Sequence, residues 1–331
     1  MSTKVTVIGG GAFGSAVAHR LSMSSAKLEV SLFVLEQFVH EGMMKDSVNP
    51  MIIPQVGEHK FLPNVVTTMD LSAAVESSKA IFYAIPGKFS SDFLGKNAHL
   101  FTKVPFVNCS KGMVVVDGMI TTMKAIAVSC GINADLYACM SGPTFAKSMF
   151  GDEKVLMSVA SDTESVRKQI ASMLSDKATG MTIYTSDDVV GQELCGALKN
   201  VVAIAAGLAA RSGASTQPGV IAVLWNDVAK VIKAMGGGHE VHMNPPMFGD
   251  LIATCSTSSR NYTFGERVAN GEEASAVIAA MPSVEGYNSL PLVIRYCKTQ
   301  EHLTAELARF QAVLDCAEGR INIEQLVNSV V

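Results

Sequence analysis

Lys111, Lys199, Asp250, Arg260 and Asn261 are scattered along a chain of 331 residues, and their types suit acid–base work on an oxygen close to an anion. An ammonium held at a carbonyl oxygen stabilises the alkoxide formed when a hydride arrives, and then protonates it. A free lysine titrates near ~10.4, too high for a group that must give and take a proton at neutral pH. Desolvation and a second cation lower such a value, while a nearby carboxylate opposes that shift and orients the amine. Arginine suits a phosphate because its planar fork binds two oxygens at once; asparagine and serine add neutral donors. Lys199 has the most unusual setting. It lies in "ELCGALKNVVAIAAG", a stretch of helical period, beside Asn200, and is the only charged residue between Glu193 and Arg211. Such a lysine either lays its stem on apolar surface with its head in water, or is buried for a purpose.

The other cations follow strands. "PFVNCSKG" puts Ser110, Lys111 and Gly112 after one strand, and "LYACMSGPTFA" puts Gly142, Thr144 and Ala146 after the next. In open α/β sheets ligands sit beyond the carboxyl ends of the strands. Alone, Lys111 reads as a solvated loop lysine; its position beyond a strand end gives the functional reading equal weight. A third polar cluster, "FGDLIATCSTSSRNYTFG", holds Asp250, Thr254, Ser259, Arg260 and Asn261, and its plain reading is a polar loop with a stray arginine.

At the amino end, "VTVIGGGAFGSAVAHRL" sets Gly9, Gly11 and Gly14 in G-x-G-x-x-G spacing between a strand and a helix, with Gly10, Ala12 and Phe13 between them. That arrangement permits a tight turn, backbone approach to a pyrophosphate and close helix–strand packing, with the helix N-terminus facing the phosphates. The acid expected for the adenosine ribose near Val34, towards the end of "EVSLFVL", is missing. Glu36 is the candidate, and an ordinary exposed glutamate fits it equally well. With no Arg or Lys nearby, the pattern leans to NAD, with NADP as the alternative.

These residues need a scaffold. "KVTVIGG", "EVSLFVL", "AIFYAIP", "PFVNCSKG" and "LYACMSGP" are strand-like apolar runs, and "VLMSVASD" and "MTIYTSDD" add later strands. Helical patterns between them include "FGSAVAHRLSMSS" and "VVVDGMITTMKAIAVSCG". Near-continuous apolar strands alternating with helices predict a Rossmann-type, doubly wound and largely parallel sheet. Beyond about residue 187 strand signals fade and helical period takes over, predicting an all-α second domain. The expected division is a dinucleotide-binding domain over 1–187 and a helical substrate and catalytic domain over 188–331.

Composition closes other routes. Hydrophobic residues make up 48% and charged residues 17%, as in packed globular proteins. The net charge is −4 and no basic run occurs, so nucleic acid is not expected as a partner. Seven cysteines, an odd number without a CxxC pair, read as reduced core thiols of a cytoplasmic protein. The N-terminus is already a strand, leaving no room for a signal peptide, and "VVAIAAGLAA" is too short to span a membrane. His239 and His242, three apart with no third ligand, read as a polar loop, and no metal is expected.

In order, GGGAFGSA, IPGKF, CSKGM, SGPTFA, the ELCGALKNVVAIAAG helix, GDLIATCS-x-x-SRN and VEG resemble the NAD(P)-dependent glycerol-3-phosphate dehydrogenases over most of the chain. The resemblance implies a cytoplasmic homodimer that moves a hydride reversibly between nicotinamide and C2 of dihydroxyacetone phosphate or sn-glycerol 3-phosphate. It implies Lys199 as acid/base, with Lys111, Asn200, Asp250 and Thr254 completing the polar site. Substrate contacts would also come from Gly142, Thr144 and Ser259, and Arg260 and Asn261 would hold the phosphate. The dinucleotide would meet the Gly9–Gly14 turn, Phe13, Phe89, Lys111, Ala146, Arg260 and Glu285. Departures fall at Ser215, Gln217, Pro218, Val223, Leu224 and Asp227, and in "MNPPMFGDL". They keep two alternatives in view: a related dehydrogenase of another small hydroxy acid or phosphorylated ketone, and a nicotinamide-binding sensor whose catalysis has lapsed.

Overall fold

The computed structural model describes residues 2–111, 113–116, 119–238, 240–281 and 283–331. Contacts within the chain divide it into two compact units, Met1–Lys111 with Met123–Val189, and Gly112–Thr122 with Val190–Val331.

Unit 1 is built on strands β1 Thr3–Ile8, β2 Leu28–Phe33, β3 Val65–Thr68, β4 Ile81–Tyr83 and β5 Phe106–Asn108, and on β8 Tyr137–Ser141, β9 Val155–Ala160 and β10 Met181–Ser186. The intervening β6 Met113–Val116 and β7 Met119–Thr122 belong to unit 2. The eight strands form one sheet in the order β10-β9-β8-β5-β4-β1-β2-β3. All neighbours pair parallel except β8 with β9. Val5, Val7, Ile81, Phe82, Phe106 and Val107 are fully buried, so the middle strands are apolar on both faces and need helices above and below. Those helices are α1 Ala12–Ser22, α2 Gln37–Asp46, α3 Ile53–Val56, α4 Leu71–Val75, α5 Ser90–Asn97, α6 Met123–Ser129, α7 Ala146–Phe150 and α8 Glu164–Leu174.

The seven anticipated strands all form. β3, only four residues long, adds an eighth that the sequence pattern did not signal. One helical expectation is corrected: "VVVDGMITT" forms β6 and β7, paired antiparallel with Val116 opposite Met119, and only α6 is helical. Consecutive valines, with isoleucine and threonines, crowd a helix and favour extended backbone, and Asp-Gly between two such runs is a hairpin signal. Asp117 and Gly118 themselves lie outside the described residues.

Arg20, almost fully buried on α1, spends its guanidinium on the carbonyls of Ser148, Met149, Gly151, Glu153 and Thr179, tying α1 to α7, the segment after it and the turn before β10. One residue earlier, His19 Nδ1 lies 3.1 Å from His59 Nε2, packed with Phe61 and Phe150. Burial, helped by His59 and Arg20, pushes His19 down to about 4, so this ring is neutral at pH 7.

Unit 2 is helical apart from the β6–β7 hairpin, whose second strand packs on α14. Its helices are α9 Val189–Leu208, α10 Thr216–Ala234, α11 Pro245–Thr254, α12 Arg260–Ala269, α13 Ala274–Ala280, α14 Glu285–Lys298, α15 Thr304–Ala317 and α16 Ile323–Val330. α9 is long and apolar enough to cross a membrane by length and composition, yet 94% of that window is buried in the protein. It is a core helix. α9 crosses α12 at bare backbone: a Cβ on Gly207 would strike the Tyr262 carbonyl, and one on Gly265 the Ile204 carbonyl. Asp227 on α10, fully buried, receives Nε and Nη2 of Arg309 on α15 at 2.5 and 2.9 Å, and Lys230 reaches Glu306 at 2.5 Å. The seven cysteines are all free, five of them buried.

Candidate active site

In unit 1, β8, β5, β4 and β1 are parallel neighbours, in register from Cys139 through Asn108 and Tyr83 to Ile8. Their carboxyl ends therefore share one edge of the sheet. At that edge stand the glycine turn after β1, Phe89 after β4, Lys111 after β5, and Gly142, Thr144 and Ala146 after β8. The sequence-predicted unit 1 residues are thus brought together on one rim.

The turn explains its glycines. Gly9 has φ +115°, which L side chains rarely adopt, and a Cβ on Gly14 would collide with the Gly9 carbonyl oxygen. A Cβ on Gly11, by contrast, would meet nothing within 4 Å. The N-cap residue of α1 is Gly11, which has no side chain to cap the first-turn N–H groups. Backbone donors, a helix N-terminus and room beside Gly11 fit a pyrophosphate. Asn49, fully buried, donates from Nδ2 to the Gly10 carbonyl at 2.8 Å and to Ser15 Oγ at 2.9 Å, bracing the turn from behind. Sequence reasoning missed this residue, since its segment follows no recognisable pattern.

Elsewhere on the rim, Asn108 turns the chain by accepting from the N–H and hydroxyl of Ser110, which presents the exposed Lys111. Gly142 has a packing reason to be glycine: a Cβ would sit 2.6 Å from the Leu156 carbonyl on β9. Phe89 is exposed, with the Lys88 ammonium 4.8 Å from its ring centre. Glu36 is the N-cap residue of α2 and half-buried, and its carboxylate makes no cap bond.

In unit 2 the polar residues come from four helices. Lys199 and Asn200 lie on α9, Asp250 and Thr254 on α11, Arg260 and Asn261 open α12, and Glu285 opens α14. The segment read as a polar loop is two helices, with Ser259 as the N-cap residue of α12. Lys199 is 8% exposed, and its ammonium forms a short ion pair with Asp250 Oδ2, itself 4% exposed. The ammonium meets a carboxylate, so snorkelling does not account for it. Removing either partner from a buried pair costs ~3–5 kcal/mol, whereas replacing both by apolar groups is often neutral. The pair is therefore poor evidence for stability.

Around it the backbone is tightly arranged. Thr254 Oγ1 donates to the Asp250 carbonyl at 2.6 Å, leaving its own oxygen able to accept. Burial pushes the Cys255 thiol up to about 12, against the opposing pull of the Lys199 charge, so this neighbour is a neutral thiol. Asn200 and Asn261 are linked amide to amide at 3.0 Å, and Asn200 Nδ2 reaches Glu285 Oε2 at 3.3 Å. The divergent segment is largely α10, where Gln217 binds the Ala206 carbonyl and the Tyr262 hydroxyl, and Asp227 holds Arg309. Both side chains join helices of unit 2. His239 lies outside the described residues, and among those described no group of three or more His, Cys, Asp or Glu could hold a metal ion.

Comparison with known proteins agrees with this arrangement at both ends of the chain. Residues 4–167 match the family described as NAD-dependent glycerol-3-phosphate dehydrogenase N-terminus, and residues 188–328 match its C-terminus. A rice protein, "Glycerol-3-phosphate dehydrogenase [NAD(+)], chloroplastic", is 30% identical over 88% of this chain, which spans 66% of that relative's length. A Brucella ovis "Glycerol-3-phosphate dehydrogenase [NAD(P)+]" is 28% identical over 100% of this chain and 98% of its own. The crystal structure of a glycerol-3-phosphate dehydrogenase from Coxiella burnetii superposes with a TM-score of 0.80 at 23% identity, covering 99% of this chain and 98% of that one. At that identity the likeness speaks for the fold: a Rossmann domain followed by a helical one.

Proposed function

The chain belongs to the NAD-dependent glycerol-3-phosphate dehydrogenase family, and on that premise we propose that it interconverts dihydroxyacetone phosphate and sn-glycerol 3-phosphate with NAD, or alternatively NADP. The observation that carries the reading is the buried Lys199–Asp250 pair, with the Asn200 amide on the next residue of the same helix. The glycine turn of Gly9, Gly11 and Gly14 would hold the pyrophosphate of a nicotinamide dinucleotide, which would supply the hydride to C2 or accept it. Lys199 gives its proton to the C2 oxygen during reduction and takes it back during oxidation. Asp250 fixes the ammonium in position, and Thr254, anchored to the Asp250 carbonyl, offers its oxygen to a substrate hydroxyl. Arg260 and Asn261 take the phosphate oxygens, supported by Ser259, with Lys111 as a second cation. Phe13, Phe89, Ala146 and Glu285 serve the dinucleotide. The reading includes a cytoplasmic homodimer linking carbohydrate breakdown to the glycerol backbone of glycerophospholipids.

The test is NADH oxidation by the wild-type protein with dihydroxyacetone phosphate, unphosphorylated dihydroxyacetone and a panel of 2- and 3-oxo acids. Since a phosphate held by a charged fork contributes several kcal/mol, kcat/KM for the phosphorylated ketone should exceed that for dihydroxyacetone by at least ~100-fold. Preference for an oxo acid would contradict the substrate. Tight NADH binding with no turnover of any substrate would favour the lapsed sensor.

A further inference from the structure

Three helices of unit 2 share a closed circuit of hydrogen bonds. The Gly286 N–H donates to Asn261 Oδ1 at 2.8 Å, Asn261 Nδ2 donates to Asn200 Oδ1 at 3.0 Å, and Asn200 Nδ2 donates to Glu285 Oε2 at 3.3 Å. The circuit starts and ends on neighbouring residues. Its direction follows from chemistry alone. A backbone N–H can only donate, so Asn261 must turn its oxygen to Gly286 and its nitrogen to Asn200. Asn200 must answer with its oxygen, and its own nitrogen then needs an acceptor. The Glu285 carboxylate is that acceptor.

Burial gives the circuit its force. Asn200 and Asn261 are 2% and 7% exposed, so water is a poor substitute for a lost partner. The Gly286 N–H is one of the donors that the first turn of a helix leaves unpaired, and Asn261 satisfies it from another helix. A Cβ on Gly286 would strike the Asn200 carbonyl, so the start of α14 rests directly on α9. Each amide spends one of its two hydrogens within the circuit, and the circuit sets the direction of the other.

We propose that Glu285 is a positioning residue for the substrate: its carboxylate holds Asn200, and through it Asn261, in the orientation that presents their second N–H to the substrate. The identity of that substrate rests on the dehydrogenase reading. The role is additional to the dinucleotide contact expected of Glu285.

Glu285→Ala removes the acceptor; Glu285→Gln keeps an oxygen that can accept from Asn200. In Glu285→Ala, KM for dihydroxyacetone phosphate should rise roughly tenfold, the worth of one part-buried bond to a charged group, beyond whatever the lost dinucleotide contact does to KM for NADH. Glu285→Gln should bring KM for dihydroxyacetone phosphate back to within about twofold of wild type. A rise confined to KM for NADH, or a Gln variant as impaired as the Ala variant, would overturn the proposal. The circuit itself is read without turnover, in full-length protein labelled with 15N-asparagine. The side-chain amide hydrogens of Asn200 and Asn261 should exchange slowly in wild type and Glu285→Gln, and quickly in Glu285→Ala. Fast exchange in the wild type would remove the circuit. Slow exchange in a protein that does not turn over dihydroxyacetone phosphate would leave the circuit standing and overturn its substrate role together with the dehydrogenase reading.

Discussion

At the turn after β1, the groups proposed to face a ligand belong to the backbone: Gly9 at φ +115°, open space at Gly11, and the start of α1, whose N-cap is a glycine. In unit 2 they are side chains, Lys199, Asn200, Asp250, Asn261 and Glu285, each held by another across four helices. The two regions should therefore fail in opposite ways. A backbone site is damaged by adding atoms, because its geometry depends on what is missing. A side-chain site is damaged by taking atoms away, because each partner left behind loses a hydrogen bond or ion pair that water replaces poorly.

Adding one carbon to unit 1 is the harshest way to break that contrast. Gly14→Ala places a methyl against the Gly9 carbonyl, so the turn must open. NADH affinity should fall by about 100-fold or more, equivalent to ~2.7 kcal/mol, as measured by fluorescence titration. Unchanged affinity would show that the turn tolerates what its packing forbids. Removing atoms from the same unit should matter far less. Asn49→Ala deletes two bonds behind the turn, to the Gly10 carbonyl and Ser15 Oγ. NADH binding should weaken about fivefold with kcat retained, a difference of roughly 1 kcal/mol. A loss as large as that of Gly14→Ala would mean that the side chain, and not the backbone, makes the unit 1 site.

The same difference decides what could be read in advance. Gly9, Gly11 and Gly14 lie within one short stretch between a strand and a helix, so spacing and context carried the turn, while apolar strands alternating with helices carried the parallel sheet. The unit 2 residues are separated by up to 86 positions between Lys199 and Glu285, and only the ordered resemblance joined them. Helical period placed α9 and Lys199 within it, yet nothing local marked Asp250 as the partner of Lys199. Arg260 and Asn261 looked like a loop because the α12 stripe is short and opens on polar residues. Asn49 was illegible, since a buried asparagine that serves a carbonyl leaves no periodic trace. The β6–β7 hairpin was misread for a physical reason: apolar residues in an unbroken run satisfy helical and strand periods alike, and β-branching should have decided it.

The central claim is that Lys199 moves the proton at C2 and contributes nothing comparable to dinucleotide binding. Lys199→Ala, assayed for NADH oxidation with dihydroxyacetone phosphate and in parallel for NADH affinity by fluorescence titration, tests it most directly. Loss of a general acid that also stabilises the alkoxide should lower kcat by roughly 10³-fold or more. NADH affinity should stay within about threefold of wild type, a difference of ~0.7 kcal/mol. Normal turnover by Lys199→Ala, or a loss that follows NADH affinity alone, would contradict it.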